Sequence, residues 1–448
     1  MTITRNLIKA RSHFAFVIGL TLAAALAISL DNRLGYLSII NTAHQIITQS
    51  VDQTPLAAPN TLSPEDIQNA KTAWEYFVKN LNPETGLVNS VDAFPSTTIW
   101  DQSSYLLGLI SAYKIGIIDK DMFDTRMSKT LTTLSRLALF SGRLPNKVYD
   151  TRSLQMVNYA NDPAPQGIGW SALDIARMTV PLNILLYDYP EHARLAGKIL
   201  TNWDFSKMVE NGILVGARFH PETGEVETIQ EGRLGYEEYG ARAVGLLGLD
   251  ALSAAKYDDF IKFENIEGIK VAADSRVTSL FDAPNYVVSE PYILMAIEFG
   301  LDQDARELAS RVYKAQKNRF AATGHLTAVS EDNIDQAPYF IYNTVYANGS
   351  AWNAVDEKGI EFPDLKTLST KAVFGWQALY NTNYTHRLMA EIQKTKTNDR
   401  GWVSGIYEKD GRLNNVATAN TNGIILEILN YKANGPLISA RFKKGDGN

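Results

Sequence analysis

A chain of 448 residues, 45% hydrophobic and 21% charged, can bury a large core and is not a disordered polymer. Its net charge of −6 comes without long runs, so nucleic acid and other polyanions are disfavoured and an uncharged partner fits better. Cysteine is absent, the six His show no HExxH or HxH spacing, and there is no GxxxxGK(S/T) or GxGxxG. Disulfides and thiolate catalysis are therefore excluded, metal and nucleotide chemistry lack support, and no cofactor or metal is expected.

Arg5, Lys9 and Arg11 precede an uncharged apolar run from Phe14 to Leu30. A positive flank followed by such a run is an export pattern, read here as an uncleaved inner-membrane anchor within residues 1–35. The expected location of the rest is periplasmic or otherwise extracytoplasmic. Residues 36–63 are assigned to a juxtamembrane helix and linker, 64–436 to one domain, and 437–448 to a tail. Ser63 before Pro64 marks the first helix start of the domain.

From there two kinds of helix alternate. Amphipathic helices are predicted at 64–80, 120–138, 191–203, 303–319 and 384–396, with a poor candidate near 252–262. Between them lie helices that are apolar on nearly all sides and rich in small residues, so they must be buried all round. These are 100–116, 170–187, 236–253, 289–300, 369–381 and 420–431. Six inner helices inside about six outer ones give the expected fold class: all-α, an (α/α)6 toroid. Strand-like stretches at 212–229 and 401–416 place short β-hairpins in the loops at the cavity end. The recurring NPETG (82–86) and HPETG (220–224) read as turns in two of those loops.

In such a toroid the N-termini of all inner helices ring one cavity. Several present an acid beside an aromatic: Asp101 after Trp100, Asp174 one turn after Trp170, and Glu237 and Glu238 between Tyr236 and Tyr239. Glu290 opens the fourth inner helix, and the loop before the fifth carries Glu331, Asp332 and Asp335, with Tyr339 after them. Each acid alone is explained by the helix dipole or a local ion pair; Asp332 and Asp335 alone fit a solvated loop. Their shared position at one end of one ring points further. Two carboxylates without metal, thiol or cofactor suit glycosidic bond cleavage. Glu237 or Glu238 is the expected general acid, with Asp101 or Asp174 as its partner and Glu290 and Asp335 as further candidates. Arg242, four residues after Glu238, is expected to keep that acid ionised, leaving Glu237 free to hold a proton. Trp100, Trp170, Tyr236, Tyr239, Tyr339 and Arg242 are the expected substrate-binding groups.

The motifs TTIWDQSSYLLGLISAYKIGIID, GRLPNKVYD, GIGWSALDIARM, EGRLGYEEYGA, SEPYILMAIEFG, LSTKAVFGWQALY and NTNGIILEILNYK resemble those of a bacterial exported family, domain of unknown function 3131. The resemblance covers most of residues 64–432 and implies an architecture similar to six-hairpin glycosidases, including glucoamylase-like domains acting on β-1,2-glucans. It also implies a neighbourhood of exopolysaccharide synthesis machinery. It supplies no catalytic residues. The expected function is cleavage or trimming of a bacterial exopolysaccharide or glucan by carboxylate acid/base catalysis. The alternatives are a non-catalytic glycan-binding or assembly factor, and a polysaccharide lyase.

Overall fold

The computed structural model describes residues 53–257, 259–276 and 285–438. The apolar run at 14–30, residues 36–52 of the expected juxtamembrane helix and linker, and residues 439–448 of the tail lie outside the described residues. No described helix is long and apolar enough to cross a membrane.

Outer helix α1 (Pro64–Lys79) starts at a capping box: Ser63 accepts from the Asp66 N–H while the Asp66 carboxylate accepts from the Ser63 N–H. Inner helix α2 (Ile99–Lys114) follows, then outer α3 (Lys120–Leu134), inner α4 (Ala172–Asp188) and outer α5 (Pro190–Asn202). The third inner helix is α6 (Tyr236–Gly245); the fourth, α7 (Glu290–Leu294), continues as a π turn over Met295–Phe299. Outer α8 (Gln303–Thr323), inner α9 (Thr370–Tyr380), outer α10 (Asn383–Ile392) and inner α11 (Ala419–Asn434) complete the chain.

The six inner helices close a ring: α2 packs on α4, α4 on α6, α6 on α7, α7 on α9, α9 on α11, and α11 back on α2. Closure is tightest between α11 and α2, because a side chain on Gly423 would run into the Ser104 backbone, and one on Gly108 would meet Gly423. Small residues in the inner helices are thus a packing requirement. The outer helices cover this ring with one amphipathic face each.

One outer helix is replaced. The stretch near 252–262 forms turns and then the hairpin Ile261–Ile266/Ile269–Asp274, which packs on α8. Its turn, Glu267-Gly268, has φ of 49° and 76°, the left-handed pair that a two-residue hairpin needs. β-branched alternation in IKFENIEGIKVAAD, rather than a 3.6-residue period, was the usable signal.

Inner-to-outer connections are short, such as the single Tyr189 between α4 and α5. Outer-to-inner connections are long and carry the antiparallel pairs, among them Ile213–His220 with Glu225–Gln230 and Glu331–Asn333 with Phe340–Asn343. Both PETG turns close alike, Gly86 N–H on Asn82 O and Gly224 N–H on His220 O. The open end of the toroid therefore lies where the inner helices begin.

Candidate active site

Two inner helices begin with an acid one turn in, and in both the same local chemistry holds it. Thr98 caps α2 by accepting from the Asp101 N–H, and its hydroxyl donates back to Asp101 Oδ2 at 2.7 Å. Ser90 donates to that same oxygen at 2.5 Å. Burial raises the Asp101 pKa, while Ser90, Thr98 and the more distant Arg177 and Lys371 oppose the rise. Ser171 caps α4 by accepting from the Asp174 N–H at 3.2 Å, and its hydroxyl lies 3.0 Å from Asp174 Oδ1. Burial, and then the neighbouring Glu231 carboxylate, push Asp174 up to about 7.

Glu231 was missed by sequence reasoning, and it sits at this same point. Its Oε2 accepts from the N–H groups of Ala172 at 2.6 Å and Leu173 at 3.2 Å, and lies 3.0 Å from the Ser171 hydroxyl. A residue from the loop before α6 thus caps α4. Room for it comes from Gly216 in the preceding strand, where a Cβ would overlap the Glu231 carboxylate. That signal is tertiary: the acid's side chain lies over the glycine of the neighbouring strand, not along a helix.

Across the ring, Glu331 is cross-strand partner of Tyr342, whose ring lies tilted against Tyr286 at 4.5 Å. Burial raises the Glu331 pKa against the pull of Lys371. Asp332, the next residue, is buried rather than solvated and is pushed to about 7 by burial, with Lys371 3.6 Å away. Lys371 opens α9 and forms a buried ion pair with Glu290. Glu290 also accepts from Asn420 Nδ2, which binds both its oxygens at 3.3 Å. Tyr159 projects from the loop before α4 with 65% of its surface open, its phenol in the field of Asp174, Glu231 and Glu357.

Beneath the mouth lies a buried ionic floor. Arg177, fully buried in α4, donates to Ser104 Oγ at 2.8 Å, Asn420 Oδ1 at 3.0 Å and Glu427 at 3.0 Å, with Glu298 3.6 Å away. Trp100 lies over its guanidinium at 4.6 Å, donates to Asn420 Oδ1 at 3.0 Å, and meets Tyr236 edge-on at 5.8 Å. Trp100 and Tyr236 are only partly buried.

The other expected site residues are held by other partners, buried in the walls, or lie on other surfaces. Glu237 is bound by Arg276 at 2.5 Å and by Gln230 at 3.0 Å, so it is not the unpaired acid. Glu238 accepts from the Gly235 N–H at 2.6 Å as a buried cap beside Tyr292 and Tyr257. Arg242 does not pair with it. It reaches Asp302, the N-cap of α8, at the opposite end of α6, which removes it from any substrate at the mouth. Asp335 is tied to Arg412 at 2.7 Å and Tyr407 at 2.8 Å on a surface hairpin that also carries exposed Tyr339. Against the cost of burial, those partners hold Asp335 below the ordinary carboxylate range. Trp170 is buried and donates to Val215 O at 3.1 Å; Tyr239 is fully buried and donates to Glu298 at 2.8 Å. Both are wall, not platform. Of the expected acids, Asp101, Asp174 and Glu290 stay at the mouth.

Asp124, Glu191 and His192 cluster on the outer face closely enough to hold a cation. The Lys120 ammonium already lies 2.6 Å from Asp124 and 2.8 Å from Glu191, so the cluster is satisfied as an ion-pair network.

A family model described as "Protein of unknown function (DUF3131)" matches residues 68–435. The chain belongs to that family. No curated protein matches it. Among solved structures, a candidate glucoamylase from Bacteroides fragilis is 11% identical at TM-score 0.59, over 84% of this chain and 93% of that one. An endo-β-1,2-glucanase from Chitinophaga pinensis, in complex with sophorotriose and glucose, is 12% identical at TM-score 0.58, over 84% and 94%. The endo-β-1,2-glucanase of Talaromyces funiculosus with sophorose is 12% identical at TM-score 0.59, over 85% and 86%. The fold is that of the (α/α)6 glycosidases.

Proposed function

We propose that the chain is a glycoside hydrolase that cleaves a neutral glucan at the open end of the toroid, with Asp174 as general acid and Asp101 as general base. The observation that carries this reading is the contrast between two acids at the starts of adjacent inner helices. Asp174, beside a second carboxylate, is pushed to about 7 and holds a proton near neutrality. Asp101 has one oxygen taking two hydroxyl donations, leaving the other for water. Packed helix axes lie ~8–10 Å apart, which suits the ~6.5–9.5 Å carboxyl separation of inverting enzymes.

In the reaction, Asp174 gives its proton to the leaving glycosidic oxygen as the C1–O bond breaks. Asp101 takes a proton from the water that adds to C1 from the opposite face. Trp100 and Tyr236 offer ring faces for sugar stacking, with Tyr159 at the rim. The fold likeness to glucanases solved with sophorose supports a β-linked glucan as first substrate class to test. Export and attachment at the inner membrane are supported by the charged flank and apolar run at 5–30; action on an exopolysaccharide beside its synthesis machinery is what the family resemblance implies.

The test is incubation of the purified chain with β-1,2-, β-1,3- and α-1,4-glucans, following reducing ends and the anomeric proton signals of fresh product. Release of product with inverted configuration, abolished by Asp174→Asn, is expected. Glycan binding without release would favour the assembly-factor reading, and unsaturated products would favour a lyase.

A further inference from the structure

One hydroxyl proton at the start of α4 faces two carboxylates. Ser171 Oγ is 3.0 Å from Asp174 Oδ1 and 3.0 Å from Glu231 Oε2, and it also accepts the Asp174 N–H. A serine hydroxyl can donate to only one of the two acids. With both ionised, the other contact would set two acceptor oxygens against each other at hydrogen-bond distance. A second proton resolves this. Burial raises the Glu231 pKa as well, but its Oε2 is the poorer place for the proton, since that oxygen already takes the Ala172 and Leu173 N–H groups, which favour its charged form.

We infer that Ser171 and Glu231 are positioning residues that together set the proton affinity of Asp174, Glu231 favouring its retention and Ser171 easing its release: with the proton in place the acid donates to Ser171, and Ser171 donates to Glu231. When Asp174 has lost its proton, Ser171 turns its own hydrogen from Glu231 to Asp174 and stabilises the new carboxylate. Glu231 then keeps its two backbone donors. This arrangement rests on the assignment of Asp174 as general acid, and adds two residues that need touch no substrate. The charged and titratable groups facing Asp174 are Glu231 from the loop before α6, Asp101 from α2, and Lys147 and Tyr159 from the loop between α3 and α4.

The two supporting residues pull in opposite directions. Glu231 raises the affinity of Asp174 for its proton through like charge, so Glu231→Gln lowers the titration midpoint of Asp174, by about one unit. Ser171 stabilises the ionised form, so Ser171→Ala raises the midpoint, while Ser171→Thr keeps hydroxyl and cap and titrates as the parent. A general acid loses activity as pH rises through its pKa. The alkaline limb of the rate profile therefore moves down in Glu231→Gln and up in Ser171→Ala.

The experiment is 13C-carboxyl NMR titration of the full chain, with the Asp174 signal assigned by Asp174→Asn, read alongside the rate profile. A parent midpoint near 7 that shifts in opposite senses in the two variants is expected. A parent midpoint in the ordinary carboxylate range, or variants that move together or not at all, overturns the inference. Melting temperature checks that the Ser171→Ala cap loss has not unfolded α4; if it has, Gly216→Ala tests the same point by displacing Glu231 and must shift the midpoint as Glu231→Gln does. Opposed shifts in a chain that hydrolyses no glucan would uphold these positioning roles and sink the hydrolase reading instead.

Discussion

Glu237 and Arg276 form a nearly fully buried ion pair at 2.5 Å, and the same guanidinium grips Asp274. The pair ties the start of α6 to the end of the hairpin that stands in for an outer helix. Its function is to hold wall to wall.

Glu237→Gln should therefore act on stability. It leaves Arg276 with Asp274 alone and removes one of the two negative charges near buried Arg233, whose charged state burial already disfavours. Breaking a buried pair at one partner costs ~3–5 kcal/mol, and the retained amide oxygen brings the expected loss to the low end. Urea unfolding measures it. Catalytic turnover per folded molecule should stay within about twofold, and a loss of orders of magnitude would return Glu237 to the chemistry.

Glu238 responds in the opposite way. Burial, then the Glu237 charge, lift its pKa well above the ordinary value, so the folded chain binds a proton there that the unfolded chain releases. Stability from this site is greatest below the unfolded carboxyl pKa and falls as pH rises towards the folded one. Glu238→Gln keeps the acceptor for the Gly235 N–H without the charge. Unfolding free energy in the variant should fall less between pH 5 and pH 8 than in the parent. An unchanged slope would show that Glu238 is ionised in the fold.

These two residues show what the chain could disclose about itself. The ring was legible because a helix that is apolar all round has no solution but burial, and the long outer-to-inner loops then had to share one end. Asp101 and Asp174 were legible as acids in a first helical turn. The roles of Glu237 and Glu238 were not, because spacing along α6 offered Arg242, while the fold supplied Arg276 from a distant hairpin and gave Arg242 to Asp302. Glu231 and Lys371 stayed hidden for a related reason. Their partners come from other segments, and only the Gly216–Glu231 approach leaves even a faint mark on the sequence.

Trp100 joins the floor to the mouth. Trp100→Ala removes the ring over Arg177 and the donor to Asn420, and should raise KM for a glucan about tenfold, the equivalent of ~1.4 kcal/mol of stacking. Trp100→Phe keeps a ring face but not the N–H; Asn420 Oδ1 still takes Ser104 at 2.9 Å and Arg177 at 3.0 Å, so most of the affinity should survive. Isothermal titration with a non-hydrolysed oligosaccharide separates the two. Equal losses in both variants would assign the effect to the indole N–H instead of the stacking surface.

Arg177 carries the strongest stability prediction. Glu298 and Glu427 are both fully buried beside it, and burial lifts both above the ordinary carboxyl range even with the guanidinium present. Arg177→Met leaves these two carboxyls without a cation, and they must then stay protonated in the fold. The unfolded chain releases those protons above its ordinary carboxyl pKa, so the deficit widens as pH rises. Removal of one member of such a buried set costs ~3–5 kcal/mol, and the loss should be clearly larger at pH 8 than at pH 5. Adding Glu298→Gln and Glu427→Gln to Arg177→Met should recover most of the loss at pH 8, because none of the three buried positions then carries a charge. If the triple variant is no more stable than Arg177→Met alone at that pH, hydrogen bonds to Ser104 and Asn420, and not charge balance, are what Arg177 contributes.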